Sequence, residues 1–501
     1  MLWRDACPGG PGGEKLPSPV KLCIALTEDA IQRRGGSVNV KLLLVASILL
    51  LPAGVSPQSP QDFARNRDEA VRNLQGLIRI DTSNPPGNET KAVEFIKAIL
   101  DKEGIPSEIV AMDKSRANLV ARIKGNGKKK PLLLMGHTDV VGVEREKWSV
   151  DPFGGVIKDG YVYGRGAVDD KDNAAVSLQV LLMLHRQKTP LDRDLIVLFE
   201  SGEEGTTQVG IEYMVKAHWD KIDCEFAILE GGQIDVQNGR VRDVLVATTE
   251  KIPNTTRLVA HGTSGHGSIP RPDNPIVHLA AAVAKLAAYQ PPMRLNETTR
   301  AYFQRLASVS SPEDAFLYTH LEDPAIGSMV QERIRSTRLP QNSNLRSSIS
   351  PNIIKGGFRS NVIPGDAEAT LDIRALPDED MNEFFASLGR VIDDPAVEVI
   401  PTPPGRPKAP PSGLDSDLFR ALERAQAKVF PGAITIPSML NGATDGAYLR
   451  AKGAHAYGVG SYLENDESRA HGNDERNPIE GIGKFLEFMY YAVVDVAAAK
   501  N

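Results

Sequence analysis

The chain has 501 residues, 41% hydrophobic and 24% charged, which excludes a disordered protein and leaves room for two or three domains with sizeable cores. Its 58 basic and 64 acidic residues give a net charge of −6 with no basic block, which excludes nucleic acid as a partner. Three cysteines, Cys7, Cys23 and Cys224, exclude a disulfide scaffold and a zinc finger, so any metal falls to histidines and carboxylates.

In chain order, Lys41 introduces the apolar run Leu42–Leu51, which ends at Pro52. The run is too short for a membrane span and suits the core of a signal peptide. The sequence therefore predicts export to a periplasm or the exterior, with membrane anchoring as the alternative. The Gly- and Pro-rich residues before it carry no period, and 1–58 reads as leader and signal segment.

Ala70, Val71, Leu74, Leu77 and Ile78 recur at helical spacing, as do Val93, Ile96, Ile99 and Leu100. Asn118–Ile123, Leu132–Met135, Leu195–Phe199 and Phe226–Leu229 read as strands, with a helix from Asp172 to Arg186 between two of them. Short apolar strands alternating with helices predict an α/β domain with a mostly parallel sheet. Near residue 250 the texture changes. Strands at Arg257–Ala260 and Ala367–Arg374 and helices at Ile276–Tyr289 and Met381–Ile392 fit a ferredoxin-like α+β domain. Residues from about 300 to 350 are less periodic and read as an insertion. The Pro-rich stretch Thr402–Pro411 is a connector, after which the first texture resumes. The expected organisation is a catalytic domain in two parts, 59–250 and 402–501, around an inserted domain, 251–401.

Polar residues cluster after the strands, where open α/β sheets form their ligand crevices. His137-Thr-Asp139 follows one strand, and residues two apart in extended chain share a face, so Asp139 can orient the His137 imidazole. That pair alone is a weak signal and better suits a polar surface. Asp169-Asp170 precedes a helix and could either cap it or bridge two cations. Glu203-Glu204 follows a buried strand; if one glutamate binds a metal, the other can accept a proton from water. Glu230 follows another strand, and His471 lies in a polar loop near the C-terminus. Two histidines with three carboxylates form a nitrogen and oxygen donor set suited to Zn²⁺.

The runs HTDVV at His137, GRGAVDDK through Asp169, GEEG at Glu203-Glu204, LEGG at Glu230, GHGS at His266, NVIP at Asn361 and HGNDE at His471 share one resemblance. Together they resemble the dinuclear zinc metallopeptidase family of aminoacylases, glutamate carboxypeptidases and succinyl-diaminopimelate desuccinylases, nearest its carboxypeptidase S-like branch. The resemblance implies a zinc exopeptidase-like fold with an inserted lid and dimerisation domain. It implies two Zn²⁺ per subunit, with Co²⁺ or Mn²⁺ as substitutes. Asp169 would bridge them, His137 and Glu230 would complete one site, and Glu204 and His471 the other. Glu203 would be the general base, Asp139 the partner of His137, and His266, Asn361 and Arg374 the contacts to substrate or its oxyanion. Glu fills position 230 as in the aminoacylase and carboxypeptidase members, and Asn173 stands where a glycine is often found.

The expected reaction is hydrolysis of an amide beside a free C-terminal carboxylate, by a carboxypeptidase or dipeptidase acting on short peptides. An N-acyl amino acid amidohydrolase is the alternative within the same chemistry. A silent metal- or peptide-binding protein is the alternative from another class, and the free Glu203 argues against it. The resemblance also implies a homodimer that shares His266 between subunits, with a hinged monomer as the alternative.

Overall fold

In the computed structural model the described residues are 62–464 and 469–500. The apolar run Leu42–Leu51 and the expected leader, 1–58, lie outside them. Among the described residues no helix is long and apolar enough to cross a membrane.

Ten strands form the larger sheet, in the order Ser107–Asp113, Arg116–Ile123, Leu195–Glu200, Leu132–His137, Phe226–Leu229, His455–Gly458, Arg240–Glu250, Gln233–Gln237 and Tyr462–Glu464. The tenth, Ile434–Leu440, pairs in parallel with Arg240–Glu250. The four central strands, from Leu195–Glu200 to His455–Gly458, run parallel. They are nearly continuous apolar runs because helices cover both faces. Leu132, Leu134, Val197 and Phe199 point into one core with the helices Phe63–Ile78, Lys171–Arg186, Asp417–Val429 and Ile479–Ala497. Leu133, Met135, Ile196 and Leu198 point into the other, against Ile211–Ala217 and Gly446–Ala451. Burying each such leucine contributes roughly 1.5–3 kcal/mol.

Lys171–Arg186 is buried from Lys171 through Leu184 and lies directly on the sheet. At Gly136 a Cβ would stand 2.7 Å from the backbone nitrogen of Ala174, so only glycine permits this approach. The contact brings the start of the helix against the end of the strand that carries His137.

The smaller sheet is antiparallel, in the order Ser348–Gly356, Asp366–Ala375, Ile252–His261, Val397–Pro401. With the helices Pro275–Ala288 and Met381–Ile392 it makes the ferredoxin-like unit that the sequence predicts, around Leu258, Leu279, Leu371, Ile373, Phe384 and Leu388.

Residues 297–345, which show little period in sequence, form four helices: Glu297–Ser308, Pro312–Thr319, Gly327–Thr337 and Leu339–Leu345. Their core of Tyr302, Phe303, Leu306, Leu317, Val330 and Ile334 includes Ile436 of the large sheet. The insertion thus leaves the chain between two elements of the small unit but packs on the large one. The hairpin of Gln233–Gln237 and Arg240–Glu250 also goes beyond the sequence reading. Its turn is Asn238-Gly239, both at positive φ, which is a recognisable two-residue hairpin signal.

Candidate active site

The parallel strands deliver polar residues to one edge of the sheet. His137 is the last residue of its strand, Glu200 the last of the next, and Glu230 follows Phe226–Leu229 directly. His137 is almost fully buried. Its Nδ1 lies 3.0 Å from the Asp139 carbonyl oxygen and 3.4 Å from Asp139 Oδ1, while Nε2 faces Asp169 Oδ1 at 3.1 Å. Asp139 therefore fixes Nδ1 as the donor and leaves Nε2 turned toward the cluster.

Asp139 also organises the glutamate turn. Its Oδ1 accepts from the backbone N–H of Gly202 and Glu203, and Oδ2 from that of Glu204 and from Asn84 Nδ2 at 2.8 Å. Burial pushes this carboxyl up, but the bonds from His137, Asn84 and Glu204 outweigh it and hold Asp139 below the usual range. Sequence reasoning identified the imidazole partner and missed this second role.

The loop bearing Asp169 is held from the C-terminal segment. Glu475 Oε1 accepts from the backbone N–H of Val168 and Asp169, and Oε2 from that of Gly166 and from the Arg165 guanidinium. Arg165 and Glu475 are both buried. Asp170 turns away from the cluster: it accepts from the backbone N–H of His137 and from Asn173 Nδ2. That bond gives Asn173 a defined task.

Two groups of donors converge here. His137, Asp169 and Glu230 form one, and Asp169, Glu204 and His471 the other, each with its donor atoms within 4.8 Å of one another. His471 Nε2 lies 3.1 Å from both Asp169 Oδ2 and Glu204 Oε1. Its imidazole is pulled up to about 10 by Asp169 and then Glu204. Glu230 is raised well above the usual range by burial and by Glu203. Asp169 belongs to both groups.

Glu203 belongs to neither group. It sits beside them, 10% exposed, and its Oε1 accepts from Arg406 Nη2 at 2.6 Å. Arg406 also faces Asp445 Oδ1 at 3.3 Å and donates from Nε to the Thr444 carbonyl. Burial, with Asp445 nearby, pushes Glu203 up to about 8. Arg406 went unnoticed in the sequence because a lone arginine in a Pro-rich connector gives no sign of a partner two hundred residues away.

Asp139, Asp169, Glu200, Glu203, Glu204, Glu230 and Asp445 crowd this edge, with Arg406, His137 and His471 among them. Such a set fits divalent cations, which supply the missing positive charge and suit nitrogen and oxygen donors.

The remaining predicted residues lie on the small unit. His266 pairs with Val362, and the Gly267 N–H donates to the Asn361 carbonyl, so His266 and Asn361 stand together. Both are exposed, and His266 Nδ1 accepts from Ser268. Arg374 is half-buried on the strand Asp366–Ala375, its Nε donating to Asp372. None of the three is within either donor group. Cys224 is buried, its thiol pushed up to about 12 by burial, as befits a core residue.

Comparisons with known proteins identify relatives of this chain. The profile of peptidase family M20/M25/M40 matches residues 133–495. The chain is 30% identical to carboxypeptidase S-like 2 of Dictyostelium discoideum over 73% of this chain and 71% of that protein. It is 28% identical to the N-fatty-acyl-amino acid synthase/hydrolase PM20D1 of Xenopus tropicalis, over 90% of this chain and 92% of the other. The crystal structure of the M20 family metallo-carboxypeptidase Sso-CP2 from Sulfolobus solfataricus shares its fold. That match has a TM-score of 0.63 at 20% identity and covers 85% of this chain and 98% of the other. The chain belongs to peptidase family M20/M25/M40, a family of metal-dependent peptidases and amidohydrolases.

Proposed function

We propose that the protein is a dinuclear zinc hydrolase that cleaves an amide bond beside a free C-terminal carboxylate, as a carboxypeptidase or dipeptidase on short peptides. One observation carries this reading. Two donor groups share Asp169, and Glu203 stands beside both while belonging to neither.

His137, Asp169 and Glu230 would hold one cation, and Asp169, Glu204 and His471 the other. Bound there, the cations supply Lewis acidity toward water and the scissile carbonyl. Glu203 takes the proton as water attacks the carbonyl carbon and returns it to the leaving amine. Asp139 keeps the His137 ring in place through its carbonyl oxygen and the Glu203 backbone through the bonds its carboxylate accepts from Gly202, Glu203 and Glu204. His266 donates to the developing oxyanion. Arg374 and Asn361 offer a guanidinium fork and an amide to the substrate carboxylate.

A second reading, an N-acyl amino acid amidohydrolase, is favoured by likeness over 90% of the chain to an N-fatty-acyl-amino acid synthase/hydrolase. A product screen of the zinc-loaded protein against dipeptides and N-acyl amino acids separates the two. Release of amino acid from neither class contradicts both.

A homodimer belongs to the same proposal. His266 and Asn361 lie on the small unit, whose edge strand Ser348–Gly356 exposes Ile353 and Ile354, with Phe358 83% exposed beyond it. An open edge with apolar side chains suits pairing with a second copy. The division into a two-part catalytic domain and an inserted lid, and export through the run Leu42–Leu51, complete the proposal.

A further inference from the structure

His137 and His471 are held in different ways. The His137 ring is buried at the end of a strand, and Asp139 takes its Nδ1. Among the described residues nothing takes the Nδ1 of His471, whose side chain is 55% exposed and lies in a loop. A metal-binding histidine is ordinarily oriented by a partner on its second ring nitrogen. The direction of His471 is therefore set through its backbone. That backbone is unfavourable on its own, because His471 stands at φ 62°, with Arg469 at 37° and Asp474 at 56° nearby. Residues that carry a side chain keep such angles only where surrounding bonds hold them.

Arg165, the arginine of the GRGAVDDK run, supplies those bonds. Its Nη2 donates to the carbonyl oxygens of His471, at 3.1 Å, and of Gly472, at 3.0 Å. Its Nη1 donates to Glu475 Oε2 at 2.5 Å. His471, Gly472 and Glu475 thus converge on one buried guanidinium. The same guanidinium lies over the Trp148 ring, 5.4 Å from its centroid. Beside Trp148, Ser149 donates from its backbone N–H and its hydroxyl to Asp474 Oδ1, at 2.8 and 3.0 Å. Because Glu475 also accepts from the backbone N–H of Val168 and Asp169, one ion pair joins the loop of the shared carboxylate to the loop of His471.

We propose that Arg165 is the positioning residue for His471. It sets the occupancy of the group formed by Asp169, Glu204 and His471, and leaves the other group, whose His137 and Glu230 stand at strand ends, unaffected. A planar fork suits this task, since it serves two carbonyls and a carboxylate at once, which an ammonium does poorly. The inference rests on the two-cation reading above and assigns a separate support to one of the two sites.

The test is zinc titration of the metal-free full chain in competition with a chelating dye. The unaltered protein should take up two equivalents, and His471→Ala marks the one that belongs to the loop. Arg165→Lys keeps a positive charge for Glu475 but serves the two carbonyls poorly. It should weaken the loop equivalent by about 10- to 100-fold and leave the other within about twofold. Added to His471→Ala, it should weaken the remaining equivalent no further. Trp148→Leu removes only the ring against the guanidinium; it should weaken the loop equivalent by a smaller factor, and it carries the test if the lysine variant does not fold. Unchanged affinity for both equivalents overturns the positioning role and leaves the two-cation reading standing. So does a loss shared equally by the two, or a further loss in the double variant, because a general loosening of the fold touches both sites. Fewer than two equivalents in the unaltered protein overturns the two-cation reading and the inference together.

Discussion

Arg406 holds the Glu203 carboxylate through a 2.6 Å hydrogen bond that joins the Pro-rich connector to the centre of the site. Because the same guanidinium is tied to the Thr444 carbonyl and faces Asp445, it has little freedom to leave. Arg406→Ala should therefore lower kcat by about 10- to 100-fold through loss of base orientation, with KM changed by less than about threefold. Arg406→Lys should restore part of the loss, because a single donor can still reach Glu203. Steady-state kinetics with metal analysis on both variants checks this. A change confined to KM, or loss of metal, would remove Arg406 from this role.

Glu475 supports the site from beneath. It neutralises Arg165 and accepts from the backbone N–H of Gly166, Val168 and Asp169, all in the interior. Glu475→Ala leaves a buried guanidinium without its carboxylate, which should cost about 3–5 kcal/mol. Denaturant unfolding of the metal-free protein measures it. Glu475→Gln, which keeps an acceptor for the N–H groups, should cost less.

Lys251 gives a pH dependence of known sign. It is fully buried, and its Nζ donates to Ser343, to the Arg346 carbonyl and to Ser348. Burial, with Arg374 nearby, lowers its pKa to about 7, against roughly 10.4 in an unfolded chain. Between those values the unfolded chain binds a proton that the folded one lacks, so stability rises with pH from about 7 to about 10. Below that window the penalty is present in full. Lys251→Met should therefore stabilise the protein most at pH 6, with the gain shrinking toward pH 10. Urea midpoints measured across that range decide it; a gain independent of pH would contradict the argument.

If the partner copy supplies His266, mixing His266→Ala with Glu203→Ala subunits should restore partial activity, since each heterodimer holds one intact site. No recovery in mixed dimers verified by mass would show that each chain completes its own site.

Much of this was legible in the residues. The strand ends gave His137, Glu203, Glu204 and Glu230 because a parallel sheet collects such positions at one edge. The shared Asp169 and distant His471 needed the motif order, since nothing local relates residues so far apart. Arg406 and Glu475 act on partners 203 and more than 300 positions away. A connector arginine carries no periodic signal, and Glu475, although inside a motif, showed only its neighbourhood to His471. The helices of 297–345 were obscured for another reason. They are 7 to 12 residues long, and their apolar faces meet Ile436 and Leu245 of a sheet that the sequence gives no reason to expect there.

The central claim is that Glu203 is a proton-transferring base standing outside the metal-holding set. Glu203→Gln, loaded with zinc and examined by elemental analysis and dipeptide turnover, tests it most directly. The account predicts two zinc equivalents per chain retained, with turnover lowered by about 100-fold or more. Turnover close to that of the unaltered protein, with the metal in place, would contradict it.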